Sequence, residues 1–199
     1  MPSPRRSQSE RRAATRARLL TATQAALVER GYAGATTTEI CRRAGVSQGA
    51  LFKHFASKGE LLAASAEQLF ANLIDAYRDT LPRLVGVQDR AAAAVALLWD
   101  VFEDARLLAA IELYAAARTD RELAHRLAPV AARHGENLRR LAHELFPEAA
   151  VRNLDFDAVV SVVVQAIQGA TLGSLASSDR RAAAPMLALL TELVRKAVA

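Results

Sequence analysis

Two helix-start signals lie close together in the sequence, on either side of a short turn. Thr36 is followed by Glu39 at the spacing of a capping box, in which hydroxyl and carboxylate each accept from a free backbone N–H. Ser47, two residues after Gly45, is a second N-cap candidate. Glycine suits the turn because it reaches positive φ without a steric penalty from Cβ. The pattern therefore predicts two short helices joined by a three-residue turn over residues 36–55.

Strong helix formers dominate the remaining sequence, and no stretch shows sustained alternation of β-branched and polar residues. A first helix is predicted over about residues 11–30, ending at Gly31. Later helices are predicted at about residues 57–80, 88–103, 105–117, 120–145, 155–176 and 182–198. The fold class is therefore all-α. A disordered basic arm over residues 1–10 is predicted to precede the helices.

Positive charge is concentrated in the first third of the chain. Residues 1–60 carry 11 Lys and Arg against 4 Asp and Glu, whereas residues 61–199 carry 15 against 17. A basic segment joined to a nearly neutral one predicts contact with a polyanion at one end of the molecule. The alternative is a charged surface that is merely solvated, and charge alone does not decide between them.

The helix predicted after the turn has one buried and one exposed side. Leu51 and Phe55 are four residues apart and share the buried face. Gly49 and Lys53 then point roughly the opposite way, and the absence of a side chain at 49 allows a close approach of the backbone to DNA.

Several polar residues around this exposed side have the chemistry of DNA contacts. The Gln48 amide offers a donor and an acceptor to a base edge, and Lys53 and Lys58 can neutralise phosphates. Thr37 and Thr38 offer hydroxyls and free N–H groups in the first turn of the preceding helix. The alternative is an ordinary helix pair with an incidental polar face.

A continuous segment of 45 residues, from Arg18 to Leu62, carries a more specific pattern. It includes Glu-Arg-Gly-Tyr at residues 29–32, Ala-Gly-Val-Ser at 44–47 and His-Phe-Ala-Ser-Lys-Gly-Glu-Leu at 54–61. This segment resembles the N-terminal domain of TetR-family transcriptional regulators. The resemblance implies a three-helix helix-turn-helix DNA-binding domain over residues 11–60. It also implies a C-terminal helical-bundle ligand-binding and dimerisation domain over residues 61–199.

The resemblance implies that the helix beginning at Ser47 is the recognition helix in the major groove of double-stranded DNA. The residues implied to contact DNA are Thr37, Thr38, Gln48, Gly49, Lys53, His54 and Lys58, and the candidate DNA-binding set also includes Ser47 and Phe52. The family usually has Tyr at Phe52, so the ring at this position can pack against a sugar but loses the hydroxyl contact to a phosphate. Cys41 stands where the family usually has Ala and is predicted to be a small buried residue. The arginines of residues 5–18 either reach a groove or form a solvated tail.

The last two helices are predicted to form a homodimer interface, because each is apolar over more than one stripe. Small residues at Ala166, Gly169, Ala170 and Gly173 would allow close helix approach. In the family these helices pair with the equivalent helices of a second copy of the chain. The alternative is that they close the core of the single chain, and both roles are compatible.

The middle helices concentrate large side chains that can line a small-molecule site. The candidate ligand-binding residues are Phe70, Trp99, Phe102, Ile111 and Tyr114. The resemblance implies an effector pocket in this region, and the scarcity of charge predicts an apolar or amphipathic effector. Glu112 and Arg118 would orient it or face water. Plain core packing is the alternative for each residue.

The cysteine, the histidines and the apolar runs limit which cellular compartment and which metal sites are predicted. The single cysteine excludes an internal disulfide and a zinc site built from Cys. His125, His134 and His143 are nine residues apart, so they cannot meet on one helix and are predicted to be surface residues rather than metal ligands. No metal or cofactor is predicted. Uninterrupted apolar runs reach only nine residues and no secretory signal is visible, so the prediction is a cytoplasmic protein without a membrane span.

The combined prediction is a sequence-specific DNA-binding transcriptional regulator that is a homodimer on a palindromic operator. It is further predicted to be a repressor released by a small apolar or amphipathic effector. An enzyme is disfavoured because the sequence lacks a phosphate-binding loop, a nucleophile elbow and a metal-ligand cluster. A non-specific architectural nucleic-acid-binding protein is the other alternative, and the nearly neutral C-terminal two-thirds argues against it.

Overall fold

The computed structural model describes residues 7–84, 86–177 and 180–199. Within these ranges the chain forms helices joined by short turns and contains no strand. The helices are α1 Gln8–Gly34, α2 Thr37–Ala44, α3 Gln48–Phe52, α4 Lys58–Thr80, α5 Arg90–Phe102, α6 Ala105–Ala117, α7 Arg121–Leu145, α8 Pro147–Arg152, α9 Phe156–Ser177 and α10 Ala184–Val198. Two 3-10 turns, Leu81–Leu84 and Arg180–Ala183, precede α5 and α10. The predicted all-α class is confirmed.

The first helix begins earlier than predicted because Ser7 caps it. The Ser7 hydroxyl accepts from the Glu10 N–H at 3.1 Å, and the Ser7 N–H donates to the Glu10 carboxylate at 2.7 Å. Residues 8–10, which were predicted to belong to a disordered arm, are therefore helical. Arg5 and Arg6 of that arm lie outside the described residues.

The predicted break at Gly31 is confirmed, although helical residues resume after it. Gly31 has φ 63° and ψ −176°, a conformation that only glycine adopts readily. A Cβ built at this position would lie 2.9 Å from a carboxylate oxygen of Glu112. The backbone conformation therefore requires glycine here, and a Cβ would also displace the Glu112 carboxylate that accepts from the Tyr32 N–H.

Gly31→Ala is expected to lower the free energy of unfolding by about 1–3 kcal/mol, because it combines backbone strain with a steric clash. Urea unfolding measures the change. Gly135→Ala is the matched control, since Gly135 lies within α7 with open space around its Cβ direction. That substitution is expected to be neutral or to stabilise by up to about 1 kcal/mol. Equal effects in the two variants would contradict the assignment.

The helix-turn-helix predicted over residues 36–55 is confirmed. The Thr36 hydroxyl accepts from the Glu39 N–H at 3.2 Å, and the Ser47 hydroxyl accepts from the Ala50 N–H at 3.1 Å. Gly45 adopts the left-handed conformation, with φ 63° and ψ 41°, and ends α2. The capping box at Thr36 forms only in part, because the Glu39 carboxylate binds arginines instead of returning to the cap.

A compact apolar core holds the first three helices and the start of α4 together. Its fully buried members include Leu19, Ile40, Leu51, Phe55 and Leu61. The predicted shared face of Leu51 and Phe55 is therefore the buried one, and Cys41 is also buried, as expected. Burial raises the pKa of the Cys41 thiol, so this cysteine is not a reactive thiolate.

Packing divides the chain into two compact units. The first unit contains Met1–Leu69 and Ala109–Val130, and the second contains Phe70–Leu108 and Ala131–Ala199. This division differs from the predicted domains 11–60 and 61–199, because residues of α6 and α7 pack with the first four helices. The predicted functional domains remain a prediction.

The second unit is built on contacts among α5, α9 and α10 and on a cluster between α4 and α7. Ile74, Tyr77, Leu138 and Leu141 form that cluster.

The late helix boundaries agree with the prediction within two residues, but α8 was missed. Pro147 both follows the end of α7 and occupies the first turn of α8, since proline lacks only an N–H that would be unpaired there.

Helix α9 buries only one narrow stripe of its surface. Phe156, Val163, Ile167 and Thr171 lie on the buried side. By length and composition alone, the 18-residue stretch Phe156–Gly173 could cross a membrane. The count of uninterrupted apolar residues missed this, because isolated polar residues divide the stretch. A helix that packs against neighbours on two sides has the same composition.

Candidate nucleic-acid interface and ligand cavity

The N-termini of α2 and α3 meet at a direct side-chain contact. The Gln48 side-chain amide donates to the Thr38 hydroxyl at 2.8 Å. Both side chains are exposed, and the Gln48 carbonyl oxygen remains on the same surface. The contact brings together two of the predicted DNA-binding residues and orients the Gln48 amide. This hydrogen bond restricts the orientation of the Gln48 amide in the absence of nucleic acid.

Helix α3 has one exposed side and one buried side, as predicted. Gln48, Gly49 and Lys53 are exposed, whereas Leu51 is buried. The Phe52 side chain is also exposed, with 49% of its surface accessible. An aromatic ring at this exposure makes little contribution to the core. Its position instead suits packing against a ligand or a sugar.

Three positively charged or ionisable groups gather beside the end of α3. The Arg16 guanidinium lies 5.2 Å from the centre of the Phe55 ring, and Arg12 and Arg16 both act electrostatically on His54. Burial lowers the pKa of His54, and these two arginines lower it further. The positive charges of Arg12 and Arg16 therefore lie within electrostatic reach of the His54 ring. The sequence prediction left the role of the α1 arginines open, and their four-residue spacing was the available signal.

A cluster of arginines around Glu39 fixes α2 against α1. The Glu39 carboxylate pairs with Arg30 at 3.3 Å, Arg42 at 2.9 Å and Arg43 at 2.7 Å. Hydrogen bonds from Arg42 and Arg43 lower the pKa of Glu39 to about 2. Arg43 also pairs with Glu29 at 2.7 Å. The arginines of α2 are therefore paired with carboxylates, although the Arg42 side chain is also exposed.

Lys58 is placed differently from the predicted phosphate contact. Its ammonium lies 4.5 Å from the centre of the Tyr32 ring and donates to the Tyr32 carbonyl oxygen at 3.3 Å. Burial lowers the pKa of this half-buried Lys58. The Tyr32 hydroxyl in turn donates to Asp120 at 2.8 Å. The structure therefore holds Lys58 within the first unit rather than on the exposed face of α3.

The nine predicted DNA-binding residues thus separate into two groups by exposure. The exposed residues are Thr38, Ser47, Gln48, Gly49, Phe52 and Lys53, and the half-buried ones are Thr37, His54 and Lys58.

The second unit contains an apolar cavity of about 100 Å³ that is partly open to solvent. Aliphatic side chains of α5, α7, α9 and α10 line it, together with the aromatic rings of Tyr77, Phe146 and Phe156. The described lining residues include none of the predicted ligand-binding residues Phe70, Trp99, Phe102, Ile111 and Tyr114.

The predicted ligand-binding residues occupy different places in the two units. Phe70 and Phe102 are buried in the second unit, while Ile111 is buried in the first. Trp99 and Tyr114 are half-buried, and burial raises the pKa of Tyr114 to about 12. The prediction weighted ring size, whereas small aliphatic residues form most of the cavity wall. Three aromatic residues of the wall were missed: Tyr77, two turns after Phe70 on α4, and Phe146 and Phe156.

Glu112 does not face the cavity either. It is exposed and accepts a hydrogen bond from the Tyr32 backbone N–H at 2.9 Å. This contact lies in the first unit beside the break at Gly31, and the exposed position agrees with the alternative that Glu112 faces water. Its role toward an effector stays a prediction.

The histidine prediction was wrong for one residue of the three. His134 is half-buried, and its ring stacks on Phe70 with centres 4.1 Å apart. Its Nδ1 is shielded from solvent and has no hydrogen-bond partner among the described residues. His125 and His143 are exposed, and His143 contacts Asp157 at 2.6 Å. Within the described ranges no group of three or more potential metal ligands comes together.

Known proteins are similar to this chain in sequence and in fold. The family model for bacterial regulatory proteins of the tetR family matches residues 19–65. An uncharacterized HTH-type transcriptional regulator of Mycobacterium bovis is 32% identical over 167 residues, which cover 84% of this chain and 86% of that protein. The HTH-type transcriptional activator FasR of Mycolicibacterium smegmatis is 39% identical over 88 residues, which cover 44% of this chain and 40% of that protein.

A solved structure extends the comparison to the whole fold. The transcriptional regulator FadR from Bacillus subtilis, in complex with stearoyl-CoA, superposes with a TM-score of 0.65 at 15% identity, covering 92% of this chain and 97% of that one. The sequence match over most of both chains is the stronger finding, because 15% identity shows only a common fold. With its capped helix-turn-helix and helical C-terminal part, this chain belongs to the TetR family of DNA-binding transcriptional regulators.

Proposed function

We propose that this protein is a cytoplasmic, sequence-specific repressor that binds a palindromic operator as a homodimer and is released by a small apolar or amphipathic effector. The observation that carries the proposal is the exposed side of α3, where Gly49 and the following Lys53 lie opposite the buried Leu51 and the exposed Gln48 lies beside them. A helix with one face anchored in a core and the other free and polar can enter a major groove. The excess of positive charge in residues 1–60 supports the same orientation.

Each side chain receives a role from its chemistry and exposure. Gln48 contacts a base edge, because its amide can pair bidentately with adenine. Lys53, Thr37 and Thr38 contact phosphates, and His54 joins the α1 arginines at another phosphate. Ser47 caps α3 close to the DNA backbone. Gly49 permits close approach, Phe52 packs on a sugar, and Lys58 contributes positive charge from its place on Tyr32.

The exposed side of α9 supports the proposed dimer. Val162 has 52% of its surface accessible, and it shares a stripe with Ala158, Gln165, Gly169 and Leu172, opposite the buried stripe. On α10, Leu189 has 70% of its surface accessible. Apolar side chains with this much accessible surface on neighbouring helices are typical of a protein–protein interface. A second copy of the chain supplies it symmetrically.

The cavity of the second unit supports an effector response. FadR, which shares the fold, holds stearoyl-CoA, and the cavity wall here is apolar. An effector changes DNA affinity only if it binds the two conformations of the dimer with different affinity. A repressor is proposed rather than an activator, and FasR shows that a related sequence can belong to an activator.

Selection from a pool of random duplexes tests the proposal. We expect the wild-type protein to recover an inverted repeat at physiological salt. Gln48→Ala is expected to relax the preference at one position in each half-site, at a cost of about 1–3 kcal/mol per base contact. Lys53→Ala is expected to weaken binding to all sequences and to reduce the slope of log affinity against log salt by about 2, one phosphate for each protomer.

The control is Gln68→Ala, which removes an exposed glutamine from α4, outside the helix-turn-helix. It is expected to leave the recovered sequence and the salt slope unchanged. Recovery of no consensus, with binding that disappears as salt rises, would favour a non-specific architectural protein instead. If Gln48→Ala recovers the same consensus as wild type, the assignment of the exposed side of α3 to base contacts is wrong.

A further inference from the structure

We infer that Tyr32 is a positioning residue for DNA binding: it fastens the helix-turn-helix to the junction of α6 and α7, and this attachment sets which separation of half-sites the dimer accepts. The inference rests on the proposed function, because half-sites exist only on an inverted repeat. Tyr32 closes the Glu-Arg-Gly-Tyr motif of residues 29–32, to which the proposed function assigns no role. The inference gives this motif a role in DNA binding without a contact to DNA.

Tyr32 follows the break in α1 at Gly31 and binds two elements far along the chain. Its backbone N–H donates to the Glu112 carboxylate of α6 at 2.9 Å, and its hydroxyl donates to the Asp120 carboxylate, just before α7, at 2.8 Å. These partners lie 80 and 88 residues later in the sequence. Hydrogen bonds to carboxylates are stronger than those between neutral groups. Tyr32 therefore restrains the end of α1 against both helices of the α6–α7 junction.

The start of α4 is held to the same junction. The Lys58 ammonium lies 4.5 Å from the centre of the Tyr32 ring and donates to the Tyr32 carbonyl oxygen at 3.3 Å. The Ser57 hydroxyl donates to the Glu122 carboxylate in the first turn of α7. A Cβ built at Gly59 would lie 3.4 Å from this carboxylate, so α4 and α7 approach each other closely at their N-terminal ends.

Asp120 serves two partners at once. Its carboxylate accepts from the Leu123 N–H at 2.9 Å, which caps α7, and from the Tyr32 hydroxyl. Both hydrogen bonds lower the pKa of Asp120, so the carboxylate is ionised at neutral pH. The group that starts α7 is thus the group that holds Tyr32. A shift of the end of α1 therefore acts directly on the start of α7.

The contacts of Tyr32 matter for DNA binding because of the helices that they connect. Helices α4, α6 and α7 each have residues in both compact units, and the proposed dimer contacts lie on α9 and α10 of the second unit. Along the chain, α1, α2 and α3 lead into the second unit through α4. The contacts of Tyr32 add α6 and α7 as two further connections. They therefore restrict how far each copy of α3 can shift relative to the other copy in the dimer.

Three duplexes measure the accepted separation of half-sites. They carry the inverted repeat that the wild-type protein recovers from the pool of random duplexes, either unchanged or with one base pair added or removed at its centre. One base pair moves a half-site by about 3.4 Å and rotates it by about 35°. Each duplex is titrated with the full-length protein and its variants.

Tyr32→Phe removes only the hydroxyl and retains the ring beneath Lys58. Asp120→Asn removes the charged acceptor and leaves a good N-cap residue for α7. The double variant tests whether both act through the same hydrogen bond. Thr119→Val is the matched control, because it removes an exposed hydroxyl from the same junction that bonds only locally, to the Ala116 carbonyl oxygen.

We expect wild type to bind the longer and the shorter duplex about 100-fold more weakly, because one protomer then loses its base contacts. Tyr32→Phe is expected to reduce this loss to about tenfold, since a less restrained α3 can follow the displaced half-site. Its affinity for the unchanged repeat is expected to fall only about threefold, because more freedom is lost on binding. Asp120→Asn and the double variant are expected to match Tyr32→Phe, and Thr119→Val is expected to behave as wild type.

A purely structural role of Tyr32 predicts a different result, because a smaller folded fraction weakens binding to all three duplexes by the same factor. An unchanged ratio of affinities in Tyr32→Phe and Asp120→Asn would overturn the inference. Additive effects in the double variant, or the same change in Thr119→Val, would also overturn it. Equal affinity of wild type for the three duplexes would contradict the inference and leave the proposed function intact. Recovery of no inverted repeat would contradict both.

Discussion

Val162→Glu is expected to dissociate the dimer and lower the affinity for the operator by about 10²–10⁴-fold. Each half of an inverted repeat binds one protomer, and linking two binding events gives an affinity gain of this order. The loss of the second contact removes the gain without touching α3. Sedimentation velocity and DNA titration on one protein preparation measure both effects.

The expectation follows from the two sides of α9. Its buried stripe includes Val163 and Ile167, which remain in place when Val162 is changed. A carboxylate at 162 is readily hydrated in a separate chain, because half of the side chain is already accessible there. In a symmetric dimer the same carboxylate is desolvated and lies near its own copy. The substitution therefore penalises association rather than folding.

Val151→Glu is the matched control, since Val151 has 83% of its surface accessible and lies on α8. It introduces the same charge into the same unit without altering the α9 stripe. We expect this variant to remain dimeric and to bind DNA as wild type does. A dimer that survives Val162→Glu would contradict the proposed interface.

A second large effect is expected at low pH. Burial lowers the pKa of His134 to about 4 in the folded state, against an ordinary value of 6.5. As the pH falls below about 6.5, the unfolded chain takes up a proton at this histidine and the folded chain does not. The free energy of unfolding is therefore expected to decrease between pH 6.5 and pH 4, by about 3 kcal/mol in total.

His134→Phe is expected to remove this part of the acid sensitivity, because phenylalanine can retain the stacking on Phe70 and does not ionise. Urea unfolding at several pH values measures the slope. His125→Phe is the control, since it makes the same replacement at an exposed position of the same helix. Equal pH dependence in wild type and His134→Phe would show that His134 does not cause the acid sensitivity.

The contacts that could be predicted from the sequence are those between residues near each other in the chain. The caps at Thr36 and Ser47 and the turn at Gly45 form between residues three to five apart. The two faces of α3 follow from helical periodicity alone. The resemblance to the TetR family identified the recognition helix, and the comparisons confirmed the family.

The residues that line the cavity and the neighbours of charged groups could not be predicted in the same way. Phe70 and Phe102 are large and apolar, but size and hydropathy are the same for a core residue and a cavity residue. Lys58 lies in a matching motif, yet its ammonium is held by Tyr32, 26 residues earlier in the chain. Glu39 fits a capping box locally, while Arg30, Arg42 and Arg43 compete for its carboxylate.

The helical class, the helix-turn-helix and the family could therefore be identified from the sequence, because each depends on local spacing and on motif. Three other features depend on the arrangement of distant helices: the cavity beside Tyr77, the shielding of His134, and the exposed stripe of α9 opposite its buried one. Helical periodicity gives the direction of a side chain around its own axis. Whether that direction leads to solvent, to a packed neighbour or to a void depends on how distant helices are arranged.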